Sequence, residues 1–215
     1  TVPKRTVGGM DSGRVALLLA VMEKRAGKDA DKRPAFNLKN EALAMVLRRE
    51  LPLKMHAHRA DDILTAIRLA KEFDLRASVE HCTEGYRIAG ELRAAGVGVI
   101  LGPLLCDRSK PELKRLSMKA PAILHRAGVK FALMTDHGVI PEQYLPVEAG
   151  LCVREGLPEM EALRAITINA AEVIGLADRI GSLAPGKDAD VVLFDGHPLE
   201  TRTHTSLVLV GGEIV

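Results

Sequence analysis

Met55-His56-Ala57-His58 is the stretch whose reading decides the fold, and two others repeat its pattern: Val79-Glu80-His81 and Met134-Thr135-Asp136-His137. In each, a short apolar run that reads as a buried strand stops at a His or an Asp, and a loop or helix begins at once. Strands of a parallel α/β barrel all end on one face. Ligands at the C-terminal tips of several such strands therefore meet in one pocket, however far apart they lie in the chain. Two imidazoles and a carboxylate converging there suit a divalent metal, zinc first, with iron or manganese as alternatives.

Outward from that stretch the pattern is regular. Strands are expected at 53–56, 76–80, 97–101 and 129–135. Between them come helices at 60–73, with Ile63, Ile67 and Ala70 inward, at 84–95, stopped by Gly96, and at 111–127, broken at Pro121. Further helices are expected after Tyr144 and Pro158. Four βα units at spacings of roughly 20 to 35 residues are the signature of a parallel sheet. Upstream, helices are expected at 13–25 and from Asn37 or Lys39 to Pro52.

After Gly175 the texture changes. Short β-branched runs at 180–183, 190–194 and 207–210, with 214–215 as a last strand, are separated by Pro185-Gly186, Gly196-His197-Pro198 and Gly211-Gly212. They read as a small antiparallel unit. A boundary near Asp178 gives a barrel portion, 1–178, and a β portion, 179–215.

Composition excludes several functions. In 215 residues, 30 basic and 28 acidic side chains are interspersed to a net charge of +2, which leaves no patch for nucleic acid or a membrane surface. The absence of Trp removes a base-stacking platform. Cys82, Cys106 and Cys152 are too scattered for a disulfide framework, and no signal peptide is visible, so a cytoplasmic setting is expected. No G-x-S-x-G elbow, phosphate loop or strand-tip lysine for Schiff-base chemistry is recognisable.

The chemistry these residues suit is hydrolysis of an amide-like C–N bond by metal-activated water, with Asp136 passing the proton to the leaving nitrogen. His56-Ala57-His58 is open as a two-ligand pair, and His137 as a neighbour that orients a ligand. Arg59, Arg108 and Tyr144 lie on loops after strand ends, where each is either a substrate-carboxylate contact or a solvated loop residue. Cys82 and Cys106 read as buried small side chains. His125 reads as a helical surface or packing residue, and His197 and His204 as parts of the β unit.

Five stretches together resemble the C-terminal part of the amidohydrolase superfamily, in particular its imidazolonepropionase-like members. They are 55–63 (MHAHRADDI), 79–85 (VEHCTEG), 134–137 (MTDH), 165–171 (AITINAA) and 181–191 (GSLAPGKDADV). The resemblance covers the chain from about Leu51 onward. It implies the C-terminal half of a TIM-like (β/α)8 barrel followed by short strands of a composite β-sandwich. It also implies that His56, His81 and Asp136 are metal ligands, with His81 and Asp136 catalytic and Asp136 the general base, and it favours His56 over His58. Members carry an H-x-H pair on the first barrel strand, which the sequence before Leu51 does not supply. A bridging lysine of some members has Lys39 and Lys54 as its nearest counterparts. A small-molecule substrate such as a cyclic amide or amidine is therefore expected, with an N-terminal half or a second copy of the chain completing the barrel. The alternative is a non-catalytic barrel remnant that binds a partner through oligomerisation.

Overall fold

The computed structural model describes residues 38–215, and the helix expected at 13–25 lies outside them. The described chain falls into two compact units, one of residues 38–53 with Leu69–Arg76 and one of Lys54–Arg68 with Ala77–Val215. In the first, helix α1 (Leu38–Leu47) ends ahead of Arg49, which takes a left-handed φ of 63°. The Arg49 guanidinium donates to Asp74 Oδ1 at 2.5 Å, and the Leu53 N–H donates to the Arg76 carbonyl at 2.8 Å.

The second unit is built on a four-stranded sheet of β1 (Leu53–Ala57), β2 (Ala77–His81), β3 (Gly98–Leu101) and β4 (Ala132–Leu133), in that spatial order. β2, β3 and β4 run parallel, with Val79 opposite Val99, His81 opposite Leu101 and Leu101 opposite Leu133. Val79, Val99 and Leu101 are wholly buried, as expected for parallel strands covered on both faces. Helix α2 (Ala60–Glu72) follows β1; Asp61 and Asp62 in its first turn favour the positive end of the helix, and Ile63, Ala66, Ile67 and Ala70 are its buried positions.

Two expected helices are each divided. The one at 84–95 is a 3₁₀ turn, Gly85–Ile88, followed by α3 (Ala89–Ala95), because Ile88 leaves helical geometry at φ −129° and ψ 35°. Gly85 packs so closely on Cys82 that a Cβ there would lie 2.3 Å from the sulfur. In place of the helix at 111–127 stand a 3₁₀ turn, Pro111–Leu113, and then α4 (Ala120–Arg126). Pro121 opens α4 instead of breaking a longer helix, since a first-turn residue needs no N–H partner.

The fourth strand is also shorter than the expected 129–135. Its entry is held by a side chain: Asn169, buried, donates from Nδ2 to the Phe131 carbonyl at 2.9 Å. That bond ties β4 to helix α7 (Ile168–Ile174), which follows α5 (Leu145–Arg154) and α6 (Glu159–Ala165).

The antiparallel sheet comprises β5 (Val191–Phe194), β6 (Thr205–Val210) and β7 (Glu213–Ile214). Gly211 and Gly212, at φ 59° and 88°, form the two-residue turn that joins β6 to β7. Residues 180–183 are a turn and not the expected strand. The Lys187 ammonium gathers them, donating to the carbonyls of Ala177 and Ile180 and to Ser182 Oγ. Among the described residues no helix is long and apolar enough to cross a membrane.

Candidate metal centre

β1 and β2 are neighbours in the sheet, so the residues at their C-terminal ends share one rim. His56 lies in β1, His58 just beyond it, and His81 closes β2. Residues two apart on extended backbone point the same way. The consequence is a cluster in which one ring nitrogen from each of His56, His58 and His81 lies within 4.8 Å of the others. The ring centroids are 4.7 Å apart for His56 and His58, 4.2 Å for His56 and His81, and 4.5 Å for His58 and His81.

Hydrogen bonds orient two of the rings. His81 Nδ1 lies 2.9 Å from the Gly102 carbonyl oxygen, which can only accept, so Nδ1 carries a proton and the tautomer of the neutral ring is the one with its lone pair on Nε2. His58 Nδ1 lies 2.8 Å from Thr83 Oγ1. His58 and His81 are buried, whereas His56 is exposed. Burial first, and then the neighbouring His81 and His56, lower the pKa of His58 to about 4. His56 is lowered for the same leading reason and then by His81 and Lys110, against an opposing pull from Asp136 and Glu112. Both rings are thus held toward the neutral form in which an imidazole binds a metal.

The backbone at this rim is strained. His81, Cys82 and Asp136 take left-handed φ values of 67°, 47° and 50°, a region costly for residues with a Cβ. The turns they make end the strands abruptly.

Asp136 follows β4, is exposed, and lies outside the group of three imidazoles, although its charge acts on His56. His137 is exposed, and its Nδ1 accepts the Glu142 N–H at 3.2 Å. Arg59 forks onto Asp61, with Nε and Nη2 at 2.9 and 3.0 Å from the two carboxylate oxygens. Arg108 donates from Nη2 to the Leu116 carbonyl at 2.8 Å, and Tyr144 is exposed at the end of a 3₁₀ turn. Away from the cluster, His125 lies 3.9 Å from Glu161, His197 3.3 Å from Glu159, and His204 3.2 Å from Asp195. Cys82 is wholly buried, and burial pushes its thiol up to about 12.

Three residues that sequence reading passed over also shape the rim: Thr83, Gly102 and Glu148. A signal for Gly102 is its place between an apolar strand and Pro103. Its φ is 134°, and a Cβ would sit 2.1 Å from the Met134 carbonyl oxygen, so only glycine lets the chain pass. For Glu148 the signal is a carboxyl within an apolar helical run. Glu148 is wholly buried, its Oε2 accepts the Leu104 N–H at 3.1 Å, and its Oε1 has no partner. Burial raises its pKa to about 7, against the Leu104 and Leu105 N–H groups, which lower it.

Strands alternating with helices, and histidines gathered at the strand tips, define the class: a partial TIM-like barrel with a separate antiparallel sheet. The chain belongs to the amidohydrolase family, whose family model matches residues 26–215. It is similar to the crystal structure of an amidohydrolase from Thermotoga maritima MSB8, with a TM-score of 0.90 and 43% identity over 95% of this chain and 54% of that one. Among curated proteins it is similar to the imidazolonepropionase of Geobacillus kaustophilus (strain HTA426), at 41% identity over 98 residues, 41% of this chain and 23% of that protein. It is also similar to the imidazolonepropionase of Maricaulis maris (strain MCS10), at 36% identity over 152 residues, 67% of this chain and 36% of that protein. The chain therefore spans about half the solved relative and a smaller share of the curated ones.

Proposed function

We propose that this chain supplies the C-terminal part of a metal-dependent hydrolase that cleaves a non-peptide C–N bond in a small cyclic amide or amidine. The observation that carries the reading is the convergence of His56, His58 and His81 with donor nitrogens within 4.8 Å of one another. A set of imidazoles in which the Nδ1 atoms of His58 and His81 are engaged elsewhere suits zinc best, and iron or manganese less well. His56 and His81 would hold the ion, joined by His58 or Asp136. When bound, a zinc ion supplies Lewis-acid activation of water at neutral pH.

The chain's own groups then divide the remaining work. Asp136, exposed and close enough for its charge to act on His56, takes a proton from the attacking water and returns it to the leaving nitrogen. Gly102 keeps His81 in the tautomer with a free Nε2. Arg108 and Tyr144 are candidates for substrate contact, with Arg108 already tethered to the Leu116 carbonyl. Arg59, forked onto Asp61, is available only if that pair opens. The imidazolonepropionase relatives support a cyclic amide as the substrate class. Three unpaired cysteines support a reducing, cytoplasmic setting.

One observation favours assembly with a further chain segment. Among the described residues β1 and β4 each pair on one side only, and an unpaired strand edge is a template for another strand. The occupant would be an N-terminal half-barrel or a second copy of this chain. The non-catalytic alternative, a remnant that binds through these edges, shares that observation and differs in metal uptake.

The test is zinc titration of the purified chain with a chromophoric chelator as competitor, for the wild type, His56→Ala, His81→Ala, His58→Ala and Asp136→Asn. One zinc per chain, lost in His56→Ala and His81→Ala with the fold intact by circular dichroism, is expected. A wild-type chain that takes up no zinc and forms a defined oligomer sinks the enzyme reading in favour of the remnant.

A further inference from the structure

Glu148 lies in the first turn of α5, wholly buried, and the metal-centre reading gives it no role. A carboxyl with one bare oxygen in an apolar interior is costly, and such groups ask for an explanation. Its surroundings supply one. Oε2 takes the Leu104 N–H at 3.1 Å. Oε1 lies against Gly102, 3.1 Å from where a Cβ would be. Pro103 stands between these two contacts, and its ring fixes its φ, so a segment held at Leu104 is held at Gly102 too. Gly102 in turn meets His81 twice, accepting from Nδ1 at 2.9 Å and donating its N–H to the His81 carbonyl at 3.3 Å.

We propose that Glu148 is a positioning residue for His81. By anchoring Leu104 it fixes the Gly102 carbonyl, which keeps the proton on His81 Nδ1 and turns the Nε2 lone pair toward the strand-tip cluster. The inference rests on the metal-centre reading for its consequence, metal affinity, but the tautomer it requires exists without metal. Burial that keeps Glu148 partly protonated near neutrality fits a group used for its hydrogen bond and not for its charge.

The experiment uses the full chain, metal-free and labelled with ¹⁵N in its histidines, at pH 8.5, with His81 assigned by its loss in His81→Asn. Imidazole ¹⁵N shifts report which nitrogen bears the proton. In the wild type and in Glu148→Gln, which keeps an acceptor for the Leu104 N–H, His81 is expected as the Nδ1–H tautomer. In Glu148→Met, similar in length but without an acceptor, the Nδ1–H share falls and zinc binds about tenfold more weakly, in the range seen when orienting partners of metal ligands are removed. The signals of His125, which faces Glu161 and is not one of the three clustered rings, stay put. An unchanged His81 tautomer in a folded Glu148→Met overturns the inference. Should that variant not fold, Glu148→Asp withdraws the carboxyl by one methylene, and an unchanged tautomer there overturns it equally. If the wild type takes up no zinc but the tautomer still shifts in Glu148→Met, the metal reading fails and the positioning role stands.

Discussion

Thr83 Oγ1 lies 2.8 Å from His58 Nδ1, and both side chains are buried. The pair joins the loop after β2 to the end of β1, and it fixes one of the two buried rings of the imidazole cluster. A hydroxyl can donate or accept, so Thr83 meets whichever nitrogen the His58 tautomer offers.

Thr83→Val keeps the shape and removes the hydroxyl. With His58 Nδ1 left unpaired in a buried site, stability falls by about 1–3 kcal/mol. Urea unfolding monitored by circular dichroism checks it. An unchanged midpoint would mean that solvent already satisfies the ring.

Stability against pH contains two opposed contributions. His58 has a pKa of about 4 folded and an ordinary one unfolded, so the unfolded chain binds more protons between roughly pH 4 and 6.5. Its contribution is fully present above pH 6.5 and is lost as pH falls toward 4. Glu148 runs the other way: at about 7 folded, it binds more protons in the native chain between roughly pH 4.5 and 7. Stability from that group is greatest at low pH and declines as pH rises through 7. The two windows overlap, so the wild-type profile is expected to be nearly flat between pH 5 and 6.5. Glu148→Gln removes the decline, giving a melting temperature that rises with pH across this range. A parallel profile in the two proteins would contradict the assignment.

Gly102→Ala places a methyl 2.1 Å from the Met134 carbonyl oxygen on a backbone at φ 134°. The strained conformation alone costs on the order of 1–3 kcal/mol, and the overlap adds to it. Reduced soluble yield and a lower unfolding midpoint are expected, with larger loss than for Gly90→Ala, where a Cβ meets nothing within 4 Å. Equal midpoints for the two variants would count against the close approach.

Lys187→Met removes the ammonium that gathers residues 177–182 while retaining most of the aliphatic stem. The Ala177 and Ile180 carbonyls and Ser182 Oγ lose their donor. Hydrogen exchange at 177–189 is expected to accelerate about tenfold, equivalent to about 1.4 kcal/mol of local opening. Exchange at β2 and β3 should stay at wild-type rates. Acceleration spread evenly over the whole chain would show that the turn is not a local unit.

The regular βα succession was legible because buried parallel strands and their covering helices impose a local period on the residues themselves. The helix from Ala60 follows directly from Ile63, Ile67 and Ala70. The misreadings are of another kind. Pro121 marks the start of a helix because a turn of chain before it is irregular, and residues 180–183 have strand-like composition but are held as a turn by Lys187. The entry into β4 depends on Asn169, 38 residues downstream of the carbonyl it satisfies. No local window contains that information.

By itself, the sequence determined the order of strands and helices, the family, and the placing of His56 and His81 at strand ends, since each follows from residue type and spacing over a few turns of chain. Only the tertiary structure decided that His58 joins those two rings while Asp136 stands apart from the three, that Gly102 sets the His81 tautomer, and that a buried Glu148 supports Gly102. The physical reason is range. Hydrogen bonds and donor distances of a few ångströms depend on how separate strands lie side by side, and 44 residues of chain separate Leu104 from the carboxyl that holds it.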